Sequence, residues 1–509
     1  MSEPWAASAS TADLRALAAT RIGVALLLLY DLLTRLGDFS AHYTEAGVLP
    51  RALVPTDPLY GNGLLSLHLL TTSSLAQGLL FAAALIAALA LLVGHHTRRA
   101  TWVSWWLLIS LQARNPHVLY EADVMLGLLL LWGGLLPWGR RWSLDNAGGL
   151  SEAPSPSRQS RSGSPPRGRR RSAPGKPAPP TRYRSAAVLG IRLQMSTALL
   201  VALASKTGDT WWDGTAVGYV LKTDVYANDL GRWLGGFEAL IPLFTWGTLV
   251  VELVGPLLVF ARGRLRWVGI ALLAGLQLGF LTTLQLGIFP ATFLVALLPF
   301  VPTRAERVVR ERRPRPAGGE PEPFTCESEE ASQRPPECRR WVGIAAWALI
   351  LLSAAHNLAY LANERELSWA PDLRAGPLAW TARTLHVDQG WGMFAPDPMT
   401  GDCWVVLPAQ TADGRELDLL QGAPLDWDKP DSVAGSYGGD RWKELLMAVT
   451  EDSEPEVWQR LLTHFARLWE AAHPQAEVQA ARLVLVTELT QPGGEAEPSY
   501  ATLAFWDTE

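Results

Sequence analysis

Apolar runs of membrane length recur from Ala16 to Leu361, and they constrain the fold of this 509-residue chain more than any other feature. A helix needs roughly 20 predominantly apolar residues to cross about 30 Å of hydrocarbon. Runs approaching that length lie near 16–36, 75–94, 100–113, 123–138, 186–205, 240–261, 266–285, 287–302 and 341–361. The third and fourth are short enough to tilt or to enter only partway, so eight or nine spans are expected. The fold class that follows is mainly α, a polytopic membrane helix bundle with a small C-terminal soluble α+β domain. The bundle takes 1–302, and a last transmembrane helix takes 341–361. The first run sits behind Arg15 and Arg21, is too long for a signal-peptide core and lacks a small-residue cleavage site. It reads as a retained anchor.

Charge then orients the bundle. Only 18% of residues are charged, and the net charge of −5 hides an asymmetry in where they fall. Loops after even-numbered spans are basic: His95-His96-Thr97-Arg98-Arg99, the Arg167 to Arg171 stretch, Arg262-Gly263-Arg264-Leu265-Arg266, and Arg304 to Arg313. The positive-inside rule puts these loops, and the N-terminus, in the cytoplasm. Residues 151–184 read as a disordered basic linker rich in Ser, Pro and Arg, and 303–340 as a second polar cytoplasmic linker. No aromatic or folded element accompanies these arginines, so they read as a solvated linker, with contact to anionic headgroups as the alternative, and nucleic acid is not expected. Membrane lipids are the expected partners of the bundle.

The opposite, extracytoplasmic face receives 37–74, Arg114 to Glu121, 206–239 and everything after the last span. The tail, 363–509, reads as α+β. Strands are expected at Cys403–Leu407 and Glu416–Leu420 around the turn Ala412-Asp413-Gly414, and at Val478–Leu489 and Tyr500–Trp506. An amphipathic helix follows a Ser453/Glu456 capping box, with Trp458, Leu461, Leu462, Phe465, Leu468 and Trp469 on one face.

Chemistry is sought first in charges that an apolar segment should not tolerate. Lys206 closes the run Ala186 to Ser205 and precedes Asp209, Trp211, Trp212 and Asp213. It reads either as an interfacial anchor that snorkels to water, or as an amine kept dry enough to act as a base. Asp209 and Asp213 oppose the neutral amine unless they point away. Asp31, Arg192 and Glu252 fall inside spans, where an ionised group costs on the order of 3 kcal/mol. A buried pair of Arg192 with Glu252 or Asp31 is expected. His117 lies in the tight loop Arg114-Asn115-Pro116-His117, where an imidazole can polarise a carbonyl or an oxyanion. Asp123 is placed to cap the helix that follows.

Phosphate-binding, dinucleotide-binding, zinc-protease and serine-hydrolase motifs are absent, so no metal or nucleotide is expected. Cys326, Cys338 and Cys403 form neither a disulfide framework nor a metal site, although the first two could pair in an oxidising compartment.

The chain resembles the horizontally transferred transmembrane (HTTM) family, the bacterial relatives of vitamin K-dependent gamma-carboxylase. The resemblance rests on Arg21-Ile22-Gly23, Tyr43 to Arg51, Arg114-Asn115-Pro116-His117, Leu136-Pro137-Trp138-Gly139 and Trp142-Ser143-Leu144-Asp145. It continues through Lys206 with Trp212-Asp213-Gly214-Thr215-Ala216-Val217, Glu252 to Pro256, Leu286 to Pro290 and Trp391-Gly392-Met393-Phe394-Ala395-Pro396. It implies a bacterial inner-membrane location and a reduced quinone, of the vitamin K hydroquinone kind, as cofactor. Lys206 matches the carboxylases' lysine base, and His117 matches a histidine expected to orient or stabilise an oxyanion. Asn115, Trp212, Gln277, Glu252 and Arg192 are expected around the cofactor. A protein or peptide substrate on the extracytoplasmic side would be carboxylated at glutamate. The chain departs from the pattern at Gln277, where the carboxylases have a histidine, and in its short tail, which makes tight propeptide recognition unexpected. The alternative is a non-catalytic HTTM protein that anchors its tail or binds a partner.

Overall fold

Helices form where the apolar runs lie, and several of their starts are set by ordinary capping chemistry. The computed structural model describes residues 5–54, 65–147, 181–302, 340–373, 376–451, 455–491, 494–495 and 497–507. The bundle helices are α1 (Leu14–Gly37), α2 (Ser74–Val93), α3 (Thr97–Arg114), α4 (Glu121–Leu135), α5 (Ala186–Ser205), α6 (Ile241–Leu258), α7 (Arg264–Thr283), α8 (Phe289–Leu297) and α9 (Arg340–Glu364). Ser73 and Ser185 cap α2 and α5 by accepting the backbone N–H of Ala76 and Val188, the bond that a serine N-cap supplies. Gly94 ends α2 in the left-handed conformation, at φ 70°.

Six of these helices are long and apolar enough to cross a membrane: α1, α2, α5, α6 with its leading turn, α7 and α9. That is fewer than the eight or nine expected from sequence. Arg98, Arg99 and Arg114 cut the mean hydropathy of α3, α4 has only 15 residues, and α8 with its following turn stops at Phe300. Outward positions such as Leu33, Leu79, Ile86, Leu243, Leu257 and Leu351 are exposed and apolar. A belt of that kind suits a hydrocarbon surround rather than water.

Among the described residues, the two sets of loops read from sequence gather at opposite ends of the bundle. At one end Arg192 donates to the carbonyls of Ser8, Ala9 and Pro299, and Arg266 reaches Ser8 Oγ. The same end holds a two-stranded ribbon, β1 (Thr11–Asp13) with β2 (Arg182–Arg184). The linker expected to be disordered through 184 is therefore ordered in its last residues; 148–180 lie outside the described residues, as do the arginine stretches near 167–171 and 304–313. Cys326 and Cys338 also lie outside them, and Cys403 is a free thiol.

The other end carries the tail. Its antiparallel sheet is built on the long strand β7 (Val478–Gln491), against which β3 (Gly401–Val406) and β4 (Pro408–Thr411) lie on one side and β9 (Ser499–Asp507) on the other. Strands β5 (Glu416–Asp418) and β6 (Ala423–Pro424) extend it beyond β4, through the turn at Gly414, φ 83°. Strand β8 (Gly494–Glu495) pairs with the end of β7. Helices α10 (Asp440–Glu451) and α11 (Pro455–Ala472) complete the domain, α11 packing on β7 and β9. Ser453 of the expected capping box lies outside the described residues. Leu468 is exposed, so the apolar face of α11 is narrower than the sequence suggests.

The tail is not a detached soluble domain. One continuous core runs from the bundle into the sheet. A short helix, Gly376–Thr384, packs along α9, and the chain after it runs inside the bundle: Gln389 hydrogen-bonds Gln194 of α5, and the buried Trp391 sits edge-on to Phe293 of α8 at 6.2 Å. Gln194 stands roughly 18 Å of helix axis before Lys206. Non-helical backbone at such depth persists only where protein covers it.

Candidate functional site

Lys206 follows the last residue of α5, and its side chain turns back into the bundle. Only 3% of its surface is exposed. Its Nζ lies 3.0 and 3.1 Å from the two carboxylate oxygens of Glu252 on α6 and 3.4 Å from the carbonyl of Ala202, one turn earlier. These contacts use all three N–H donors of an ammonium. The Trp211 ring stands 5.0 Å from Nζ, within cation–π range. A snorkelling anchor would place this group in water; here it is a buried ion pair.

Two pieces of chain roof the pair. One is the short helix Asp209–Asp213, which ends at Gly214, φ 87°. The other is the turn Trp391 to Asp397. Trp211 Nε1 donates to the Phe394 carbonyl at 2.8 Å, and Gly208 N–H donates to the Pro396 carbonyl at 3.0 Å. Asp397 accepts from the backbone N–H and the hydroxyl of Thr210. It thus caps the helix from another part of the chain. A Cβ at Gly208 would lie 1.8 Å from Asp397 Oδ2, so this approach requires glycine. Tyr360 of α9 stands over Gly392, where an added Cβ would come within 2.7 Å of its hydroxyl.

The residues singled out by sequence fall into separate places. Lys206 and Glu252 meet directly. Gln277 is buried on α7, one turn past Leu273, whose side chain packs on Gly255 of α6. That register puts it at the level of Glu252, and its Oε1 has no hydrogen-bond partner. Arg192 pairs with neither Glu252 nor Asp31. It lies at the far end of α5, where backbone carbonyls of the N-terminal segment and of Pro299 take its donors. Trp212 points outward, 60% exposed, against Trp246; its neighbour Trp211 is the ring on Lys206. Asp209 and Asp213 are exposed and turned away, Asp213 bonding Thr215. Asn115 is spent as a brace, its Nδ2 donating to the His42 carbonyl and its Oδ1 accepting the His117 N–H. The His117 loop packs beneath α10, while Lys206 lies beneath the 391–397 turn.

A second buried cluster replaces the pairing expected for Asp31. Asp31, Arg35 and Asp123 within the bundle meet Arg441 of α10. Arg441 also donates to the Val118 carbonyl, and Arg35 to the Tyr43 hydroxyl. Asp123 does cap its helix, accepting the Tyr120 N–H at 3.0 Å, but its larger part is in this cluster. Burial opposes the Arg441 charge, yet Asp123 and Asp31 outweigh it and raise its pKa well above the usual guanidinium value. Beside the cluster His42 is wholly buried against Trp442, and burial, then Arg35, Arg441 and His464, push its pKa down to about 3.

Arg441 and α10 were not legible as a site. The signal available was a charge deficit: Asp31 and Asp123 need two cations, and Arg35, one turn from Asp31, supplies one. Among the described residues no group of His, Cys, Asp and Glu is arranged to hold a metal ion. No family model, curated protein or solved structure matches the chain.

Proposed function

We propose that this is a quinol-dependent, carboxylase-like enzyme of the bacterial inner membrane, in which Lys206 and Glu252 together form the base. The N-terminus is cytoplasmic, the tail extracytoplasmic, and α3, α4 and α8 count as short spans beside the six long ones. The observation that carries the reading is the buried Lys206–Glu252 pair under the 391–397 turn, because an isolated pair of this kind has a large desolvation cost and little claim to a stabilising role. The HTTM resemblance agrees with it. The resting lysine is an ammonium with all its donors used. It becomes a base when its proton passes to the Glu252 carboxylate, which leaves a neutral amine and a neutral carboxylic acid in one dry site.

The residues present fit a reduced quinone. Gln277 Oε1 is a buried acceptor without a partner, the group a phenolic O–H would bond, and Trp211 gives an aromatic face beside Lys206. A reduced quinone bound here supplies an acidic O–H and reducing equivalents for oxygen. Lys206 takes the proton from that O–H and Glu252 holds the proton displaced from Lys206. The 391–397 turn excludes water, and a peptide glutamate is the substrate class that the family resemblance implies.

The test is oxygen uptake with a reduced prenylnaphthoquinone by the full chain in nanodiscs. Removing Lys206 alone would strand Glu252, so the informative variant is Lys206→Met with Glu252→Gln, which removes both charges. The proposal expects wild-type membrane levels and lost turnover. Turnover retained by the double variant overturns it and leaves the pair as an anchor for the roof. Lys206→Arg keeps the charge but not the ability to deprotonate, and is expected to be equally inactive.

A further inference from the structure

We propose that the cleft between α5 and α9 binds a lipid bearing an apolar chain and a hydroxyl group. The cleft has a volume of about 370 Å³ and is walled by Leu193 and Val201 of α5 and by Ile350 and Leu361 of α9. Both helices are among the six apolar enough to span a membrane, and Leu351 and Leu358 beside the cleft are exposed on α9. It therefore opens onto hydrocarbon rather than water, and an extended chain is what such a wall accepts.

The polar residues in the same walls decide which lipid. Gln194, Thr197, Ser353 and Asn357 line the cleft near the middle of both helices. Ser353 Oγ donates to Gln194 Oε1 at 3.5 Å, and Gln194 Nε2 donates to Gln389. Asn357 Nδ2 donates to the Ser353 carbonyl at 2.8 Å, which fixes the orientation of its amide and leaves Oδ1 as an acceptor. That oxygen is buried and has no partner. Water is not available at this depth to satisfy it, so the missing partner is a donor delivered by lipid. A hydroxyl provides one; an ester, an ether or an oxidised quinone does not. The inference does not depend on Lys206 being a base, because the cleft lies along the middle of α5 and does not include that residue.

The full chain in nanodiscs is photolabelled with diazirine-bearing geranylgeraniol and, separately, with its methyl ether. Labelling is expected on the segments 193–201 and 350–361. The alcohol should label about fivefold more than the ether at equal concentration, the ratio given by one net hydrogen bond of about 1 kcal/mol. Asn357→Leu should bring the alcohol down to the level of the ether. Ala354→Trp, which fills the cleft, should abolish labelling by both while the melting profile is kept. Unlabelled reduced prenylnaphthoquinone and dioleoylglycerol, run as competitors, distinguish a quinol from a glyceride as the native source. Equal labelling by alcohol and ether in the wild-type chain overturns the proposal. So does equal competition by the oxidised and reduced quinone, or labelling that survives Ala354→Trp.

Discussion

Replacing Arg441 by Met should loosen the tail from the bundle without touching the membrane helices themselves. Arg441 bonds Asp31, Asp123 and the Val118 carbonyl, and all the charged partners are nearly inaccessible to water. Without it, two buried carboxylates share the single guanidinium of Arg35. Leaving a buried charge uncompensated costs on the order of 3–5 kcal/mol. If α10 and the sheet undock as one unit, 3 kcal/mol raises the open population by roughly 10²-fold, and cleavage of the open form follows that population when reclosing is fast. The assay is limited proteolysis of the full chain in nanodiscs, read on fragments of the sheet. Asp31→Asn in the Arg441→Met background removes the stranded charge and leaves Arg35 paired with Asp123. It should recover a coupling energy above about 1 kcal/mol in the double-mutant cycle. Protection unchanged in Arg441→Met, or no coupling with Asp31→Asn, would refute the view that this cluster clamps the tail.

Three further outcomes are expected. Tail docking should weaken as pH falls from about 6.5 toward 3, because His42 stays neutral in the folded protein while the unfolded chain takes up a proton. The contribution is complete above pH 6.5, and is lost at up to about 1.4 kcal/mol per pH unit below it; His42→Phe should flatten that slope in the same proteolysis assay. Gly208→Ala should cost about 1–3 kcal/mol by driving a methyl into the Asp397 carboxylate. Asp397→Ala alone should cost about 1 kcal/mol as a lost cap, and the pair should cost less than the sum, measured as thermal unfolding. Arg192→Lys should loosen the opposite end, seen as faster hydrogen exchange at residues 5–13, with no effect on quinone turnover, because Arg192 binds carbonyls far from Lys206.

The helices were legible because a 20-residue apolar run admits little else: α5 occupies the residues expected of it. For the described basic loops, 95–99 and 262–266, the grouping at one end was legible from arginine placement. The span count was not, because hydropathy alone does not decide whether α3, with arginines near both ends, crosses or merely packs. Side-chain pairing was the least legible level. A lone charge in a span requires a partner, but periodicity does not say which: Arg192 is expected against Glu252 or Asp31, whereas the partner of Glu252 is Lys206. Adjacent tryptophans posed the same problem: one helical position, about 100°, separates the buried Trp211 from the exposed Trp212. Arg441 was out of reach for another reason. It comes from a soluble-looking helix more than 300 residues from Asp123, and only the tertiary fold joins them.

The central claim is that one proton can move between Lys206 and Glu252, and difference infrared spectroscopy tests it most directly. Spectra of the full chain in nanodiscs are compared before and after addition of a reduced prenylnaphthoquinone, with Glu252→Gln to assign the band. The account predicts a protonated-carboxyl carbonyl band that appears with the quinol, vanishes in Glu252→Gln and is absent with the quinol's dimethyl ether. A carboxylate at Glu252 that stays ionised throughout, in a sample that binds the quinol, would contradict it.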